Sequence, residues 1–542
     1  MRQDRIALWL LLVLAAGAFA QETATPVREA DAVCARCHRD IFNAYLQTPM
    51  ANASGVAMDK AIPGVLDHKA SGTVYRVFVQ DGNLILQIPK TDSEFRLEYF
   101  LGSGHLGTTY LYSIHGHLFE SPIAWYAASH SYDMKPGLEG VTAMPPALPM
   151  QASCLRCHMS AVQKSDAGTI NYYAGPAFEH TGITCEGCHG DTQQHVSSNG
   201  KGPVVNPAKL DAARRDSVCI SCHLEGDVSV EKAGRSSLDY KPGDNIADFL
   251  TYFVYQGKNL TERGVSEVEQ LGMSRCKRAS GDRMSCTSCH DPHVSPAPEE
   301  KAAFYRKKCL ACHTDAAFAS SHHPEEPDCT QCHMPRSSAE NIPHVAWTDH
   351  RIRKIPDKVV MADLDNGEEL VPVFSPEANQ RDLAMAYFQA AMEGNAALHT
   401  TALNLLEKIR AGLSDDLEAL AALALESERQ GDYKQAADLF REILKRDPQN
   451  LTALSNLGTL EARDGHLPSA LIFLKQAFSR NENIVGLAKN LAQVQCMKGD
   501  AASAKATLQA TLQYNPGLPD VQQMIKHLQS CGDARSEKKQ TQ

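Results

Sequence analysis

Seven times between residues 34 and 333, two cysteines separated by two residues are followed at once by histidine. The sites are Cys34, Cys37 and His38; Cys154, Cys157 and His158; Cys185, Cys188 and His189; Cys219, Cys222 and His223; Cys286, Cys289 and His290; Cys309, Cys312 and His313; and Cys329, Cys332 and His333. With 22 histidines in 542 residues, one falls at a given position with a chance of about 4%, so seven successive hits have odds on the order of one in ten billion. The pattern is therefore chemistry. Two thiols one helical turn apart can add to the two vinyl groups of a haem, and the imidazole that follows can bind its iron as the proximal ligand. Zinc needs four ligands per ion and asks for no histidine after each pair. A thioredoxin-type redox pair would occur once, near a βαβ pattern. The spacing predicts seven covalently attached haems c.

That count constrains the fold. Seven haem plates between Cys34 and His350 leave about 45 residues for each, too few for much conventional core. Aromatic residues make up only 6% of the chain. The haems are expected to be the core of this region, which should not fold without them. With 53 Lys+Arg against 64 Asp+Glu the net charge is −11, which gives no reason to expect nucleic acid or an anionic membrane as partner.

The first residues read as an export signal. Arg2 and Arg5 precede an apolar stretch of 15 residues, Ile6 to Ala20, too short to span a bilayer comfortably, and Ala18-Phe19-Ala20 is a cleavage pattern. Residues 1–20 are expected to be removed, leaving a mature chain with no transmembrane segment, in the periplasm or outside the cell.

The expected organisation is α+β, mostly α. A haem-packed cytochrome c domain spans 21–354 and carries a small antiparallel β insertion at about 71–126. Within it, 73–79 and 84–89 alternate β-formers around Asp81-Gly82-Asn83, a hairpin signal. Segments 94–102, 108–114 and 117–126, the last two divided by His115-Gly116, extend it. A linker rich in charge and proline occupies 355–379 and suggests two separate folding units. Beyond it a 34-residue period appears: Gly431, Gly465 and Gly499, Ala436, Ala470 and Ala504, and, two periods apart, Pro448 and Pro516. This is the tetratricopeptide (TPR) pattern of paired helices stacked as an α-solenoid, expected over 380–532 as about four hairpins, with 533–542 a disordered tail.

A six-coordinate haem needs a second axial ligand from elsewhere in the chain. His293 lies too near His290 to reach the far face of the same haem, so it is expected to ligate a neighbour and fix two haems at close spacing. His195, six residues past His189, His68, His344, His350, and either His322 or His323 are further candidates. Met50 is the seventh; a thioether can ligate haem iron and raises its potential relative to imidazole, though ordinary packing accounts for it as well. His105, His115, His117, His130 and His180 are open between spare ligands or propionate partners and turn or surface residues, which explain them equally well, and His399, His466 and His527 are expected in solvent. Cys276 is open between a free thiol, a disulfide half and an unusual ligand. Cys496 and Cys531 lie one repeat apart, and an exported chain permits a disulfide between them.

Segments 182–195, 284–293 and 329–352, together with 101–111 and 121–126, resemble multihaem c-type cytochromes fused to TPR repeats. These stand in the wider group of nitrifier tetrahaem cytochrome, hydroxylamine oxidoreductase and pentahaem nitrite reductase. The resemblance implies bis-histidine haems in a periplasmic electron carrier, and supports Met50, His68, His195, His293, His344 and His350 as distal ligands. The C-x-x-C-K active haem of pentahaem nitrite reductase is absent, which speaks against that activity. Two functions follow. The first is an electron relay whose repeats dock redox partner proteins. The second is an oxidoreductase acting on a small inorganic nitrogen or sulfur compound at one open haem.

Overall fold

The computed structural model describes residues 24–256, 264–314, 328–339, 342–353, 369–375, 377–528 and 531. The signal segment, His322, His323, most of the linker and the tail lie outside these residues.

The β-forming stretches make two sheets. The first is a meander of Gly64–His68, Thr73–Gln80, Asn83–Ile88 and Ser93–Leu97, each strand antiparallel to the next. Its central turn is Asp81-Gly82 with φ of +50° and +73°, the conformation that fits the twist of a two-residue hairpin. The chain then changes sheets within a few residues. Ser93–Leu97 pairs back on the meander, whereas Tyr99–Leu101 joins Ser54–Val56 and Gly107–Ile114. His117–Glu120, Ile123–Tyr126, Ser131–Met134 and Leu148–Pro149 complete this second sheet. Aromatic and aliphatic residues of both sheets, among them Tyr75, Leu84, Leu86, Tyr110 and Phe119, form one buried cluster. The β region thus begins before residue 71 and continues past 126.

The cysteine-bearing segments are short helices. Residues 186–189 and 329–333 form single turns, Asp31–Arg36 and Cys286–Ser288 are 3-10 turns, and Ala212–His223 is a 12-residue helix capped by Asp211.

The C-terminal region is helical throughout its hairpins: Gln380–Met392 with His399–Ile409, Leu417–Arg429 with Tyr433–Arg446, Leu451–Arg463 with Leu467–Phe478, and Val485–Met497 with Ala501–Tyr514, followed by Pro519–His527. Gly431, Gly465 and Gly499 turn the chain between paired helices at φ of +82° to +87°, a conformation costly for any residue with a Cβ. Ala436, Ala470 and Ala504 are fully buried where helices approach closely. A disulfide joins Cys496 and Cys531.

The solenoid is held at both ends. Its first helix shares a core with the sheet Val228–Glu231, Leu250–Tyr255 and Leu370–Pro372: Val228, Val230, Phe253 and Leu370 pack with Ala384, Met385 and Tyr387. Buried Asp382 binds Lys232 at 2.5 Å and Thr251 Oγ1 at 2.8 Å across this junction. At the far end, Asn481 Nδ2 donates to Gly168 O at 2.9 Å, Asn483 Nδ2 to Asn171 Oδ1 at 3.0 Å, and Ala147 N to Asn515 Oδ1 at 2.8 Å. Tyr514 enters the core of the β region.

Candidate functional site

The local fold puts each motif's reactive groups on one face. In four motifs the histidine N–H donates to the carbonyl of the first cysteine, four residues back: His38 to Cys34, His189 to Cys185 and His290 to Cys286 at 2.9 Å, and His313 to Cys309 at 3.0 Å. One α-turn therefore sets two thiols and an imidazole side by side, the donor set covalent haem needs. At the second motif the turn is tighter, with His158 N donating to Leu155 O at 2.8 Å.

Attachment segments distant in sequence abut. The Cys34 and Cys185 thiols and the Asp31 carboxylate lie within 4.8 Å of one another. The thiols of Cys157 and Cys222, of Cys219 and Cys286, and of Cys309 and Cys329 are likewise neighbours. The neighbouring Cys222 thiol, with burial, pushes Cys157 well above the ordinary thiol range.

Three proximal histidines each face a second histidine ring. His38 faces His195 at 6.4 Å between centroids and 15° between planes; His189 faces His293 at 6.0 Å and 14°; His290 faces His350 at 6.3 Å and 31°. Segment 286–293 thus presents His290 to His350 and His293 to His189, two partners in two directions. Three of these rings, and that of the proximal His333, have their Nδ1 occupied. His189 donates to Val205 O at 2.8 Å, His195 to Gly202 O at 3.1 Å and His350 to Thr348 O at 2.9 Å, and His333 donates to Arg353 O. A carbonyl only accepts, so Nδ1 carries the proton and the Nε2 lone pair is left for a metal. These residues could hold iron.

The other candidates sit differently. His68 ends its strand with Nδ1 2.8 Å from Ser71 Oγ. His344 Nε2 donates to Asp133 Oδ2 at 2.8 Å, and its ring lies against Tyr126. Met50 packs with Val27, Tyr45, Leu46 and Ala51. Among the described residues neither His68 nor His344 pairs with a proximal histidine ring. His158 is largely buried with Nδ1 unpartnered, and burial pulls its pKa down. His117, left open between a ligand and a turn or surface residue, and His399, expected in solvent, are both buried. His117 Nε2 lies 3.3 Å from Arg480 O at the junction with the repeats, and His399 Nδ1 is 2.7 Å from the buried Glu426. Their burial depends on contacts between segments far apart in the chain, which periodicity does not report.

Comparison with known proteins agrees with the donor set. A model for cytochrome c554 and c-prime matches residues 124–190, one for a doubled CXXCH motif matches 279–318, and one for the tetratricopeptide repeat matches 429–483. The multiheme cytochrome MtrA of Shewanella baltica (strain OS185) is 26% identical over 183 residues, which is 30% of this chain. The chain spans about half the length of that relative, 52%. Among solved structures, MamA from Desulfovibrio magneticus RS-1 is 17% identical, covering 29% of this chain and 87% of that one, at a TM-score of 0.26. The pilF protein of Pseudomonas aeruginosa is 25% identical over 28% of this chain and 69% of that one, at 0.24. Overlaps this slight do not bear on function. No helix among the described residues is long and apolar enough to cross a membrane. The family matches, the multihaem relative and the donor geometry make this chain a multihaem cytochrome c, with covalently bound haem, fused to tetratricopeptide repeats.

Proposed function

We propose that this protein relays electrons outside the cytoplasm through seven haems c, while its repeats dock a redox partner protein. The observation that carries the reading is the set of three facing histidine pairs. Two imidazoles that shared one metal ion, each at a metal–nitrogen distance of about 2 Å with a ring radius of about 1.1 Å, would have centroids roughly 6.2 Å apart. The pairs lie at 6.0 to 6.4 Å. His195, His293 and His350 are then the distal ligands at the haems of His38, His189 and His290, and Met50, His68, His344 and one of His322 and His323 serve the other four. Haem, when bound, supplies reversible one-electron iron chemistry. The chain's own part is to fix spacing and ligation. Abutting cysteine segments hold neighbouring sites together, and Nδ1–H bonds to carbonyls lock ring orientation and make Nε2 the better donor. Cleavage of residues 1–20 and membership of the nitrifier tetrahaem cytochrome, hydroxylamine oxidoreductase and nitrite reductase group belong to this proposal.

One observation favours a second reading, an oxidoreductase acting on a small inorganic nitrogen or sulfur compound. His158, like His223, His313 and His333, has no facing histidine ring among the described residues, which is where a haem would be left open if Met50 only packs. Electron paramagnetic resonance of the oxidised protein separates the two. The relay predicts that every haem is low spin and indifferent to cyanide, nitrite or hydroxylamine; a high-spin signal that shifts with an added anion assigns an open haem and the enzyme.

A further inference from the structure

The turn that joins Tyr99–Leu101 to Gly107–Ile114 reads Gly102-Ser103-Gly104-His105-Leu106-Gly107, and the attachment motifs do not account for it. Gly102, at φ +97°, lets the two arms of the turn touch: a Cβ there would stand 2.4 Å from the Gly107 carbonyl oxygen. Gly104, at φ +89°, leaves space beside two side chains: a Cβ there would stand 3.4 Å from Lys60 Nζ and 3.8 Å from Thr108 Oγ1. The tip between the arms is unpaired. Among the described residues no acceptor receives the backbone N–H of Ser103, Gly104, His105 or Leu106.

Lys60 is held over this tip. Tyr110, fully buried, donates its hydroxyl proton to the Lys60 carbonyl at 2.7 Å and so fixes where the side chain starts. At the other end, Nζ lies 4.3 Å from the centre of the Phe100 ring and donates to the Gly102 carbonyl at 3.1 Å. An ammonium has three protons, and Gly102 takes one of them. Among the described residues no carboxylate pairs with Lys60, and desolvation, the one influence on its charge, lowers its pKa. Thr108 is 1% exposed, and its buried hydroxyl, the atom it turns to Gly104, has no hydrogen-bond partner. A half-buried cation without an anion and a buried hydroxyl without a partner are both costly, and here they flank the same glycine.

We propose that turn 102–107, with Lys60 and Thr108, is a binding site for a small tetrahedral oxyanion, phosphate or sulfate. Successive backbone N–H groups in a glycine turn favour an anion, the ammonium supplies the countercharge, and the hydroxyl supplies one more donor. Donors on three sides suit an anion with acceptor oxygens in three directions. The site uses none of the residues assigned to iron. It is nonetheless joined to the second attachment motif, because Gly102 N donates to Ala53 O at 2.7 Å and Ser54 Oγ donates to His158 O at 2.7 Å. An occupant would brace the strand Ser54–Val56 against the turn.

The test is isothermal titration of the holoprotein, in buffer free of both anions, with inorganic phosphate and then with sulfate as competitor. The wild type should take up one phosphate per chain, and sulfate should displace it. Lys60→Gln should weaken binding by about tenfold or more, Lys60→Arg should keep most of it, and Thr108→Val, which preserves shape, should weaken it by about threefold or more. Haem count by intact mass and the thermal midpoint without phosphate should match the wild type in all three, which separates lost binding from lost folding. A wild type with no saturable uptake overturns the site, as does phosphate binding of wild-type strength in both Lys60→Gln and Thr108→Val. No uptake by the wild type, together with a lowered midpoint potential of one haem in Lys60→Gln, overturns the oxyanion in favour of a haem carboxylate as the partner of Lys60.

Discussion

Whether a histidine can hold iron depends on which of its nitrogens is already engaged, and His293 is the residue where this matters most. Its ring stands opposite His189, 104 positions earlier, while His290, three positions before it, stands opposite His350. Replacing His293 by alanine should therefore turn the haem on Cys185 and Cys188 high spin. The haem on Cys286 and Cys289 should stay attached and low spin. Magnetic circular dichroism, combined with mass analysis of haem peptides, checks both halves; an unchanged spectrum would mean that His293 is a surface residue. The proximal positions can be read in sequence because thioether chemistry needs contiguous residues. The distal candidates His195, His293 and His350 could be named from sequence, but which proximal ring each faces could not, because His38 and His195 meet only after the chain has folded round the site.

Elements follow the same division. The hairpin at Asp81-Gly82 and the 34-residue period were legible because each is a local demand, a positive φ in one case and helix-to-helix approach in the other. The contacts that seat the repeats on the β region come from loops with no period. Gly168, at φ +75°, runs so close to the Pro448-Gln449 loop that a Cβ would stand 2.7 Å from the Gln449 carbonyl. Asn481, 2% exposed, closes this contact through Gly168 O. Asn481→Ala leaves that carbonyl unpaired and should cost about 1–3 kcal/mol, read as a lower thermal midpoint and faster hydrogen exchange over 165–173. His117 adds a pH dependence at the same junction. It is buried among Tyr172, Tyr514 and Phe119, with Arg480, Glu482 and His115 the charged or titratable groups around it, and desolvation lowers its pKa. Charging it therefore costs more in the folded protein than in the unfolded one. Its contribution is complete above the unfolded value of about 6.5 and is lost as pH falls through the folded one. Thermal midpoints should decline between neutral pH and about 5, and His117→Gln should flatten that decline; equal slopes in the two proteins would remove His117 as the cause.

At the scale of the whole molecule, the charged and proline-rich stretch before the repeats suggested two units that would part when cut. The folded chain argues for a different outcome. One core runs from Val228, Val230 and Phe253 into Ala384, Met385 and Tyr387, and Asp382 is tied to Lys232 and Thr251 within it. At the other end Tyr514 is part of the β-region core, and Asn483 and Asn515 bond to Asn171 and Ala147. The solenoid is thus fastened at two places separated by some 130 residues of its own length, from Asp382 to Asn515. Two fastenings on one rigid body act together. Releasing one leaves the other at high effective concentration, so the repeats leave only if both open at once. Cleavage within 354–368 should then give a haem-bearing and a colourless fragment that co-elute on gel filtration at neutral pH and separate only in denaturant. Asn481→Ala with Asn515→Ala should loosen the far end while the near end still holds, so the nicked variant should co-elute but exchange faster over 144–173. Adding Asp382→Ala, which leaves Lys232 and Thr251 without their buried partner, should let the fragments separate without denaturant. Fragments of the unmodified protein that part on nicking alone would show that neither junction carries the solenoid, and that the repeats are free to swing about the cytochrome as they bind a partner.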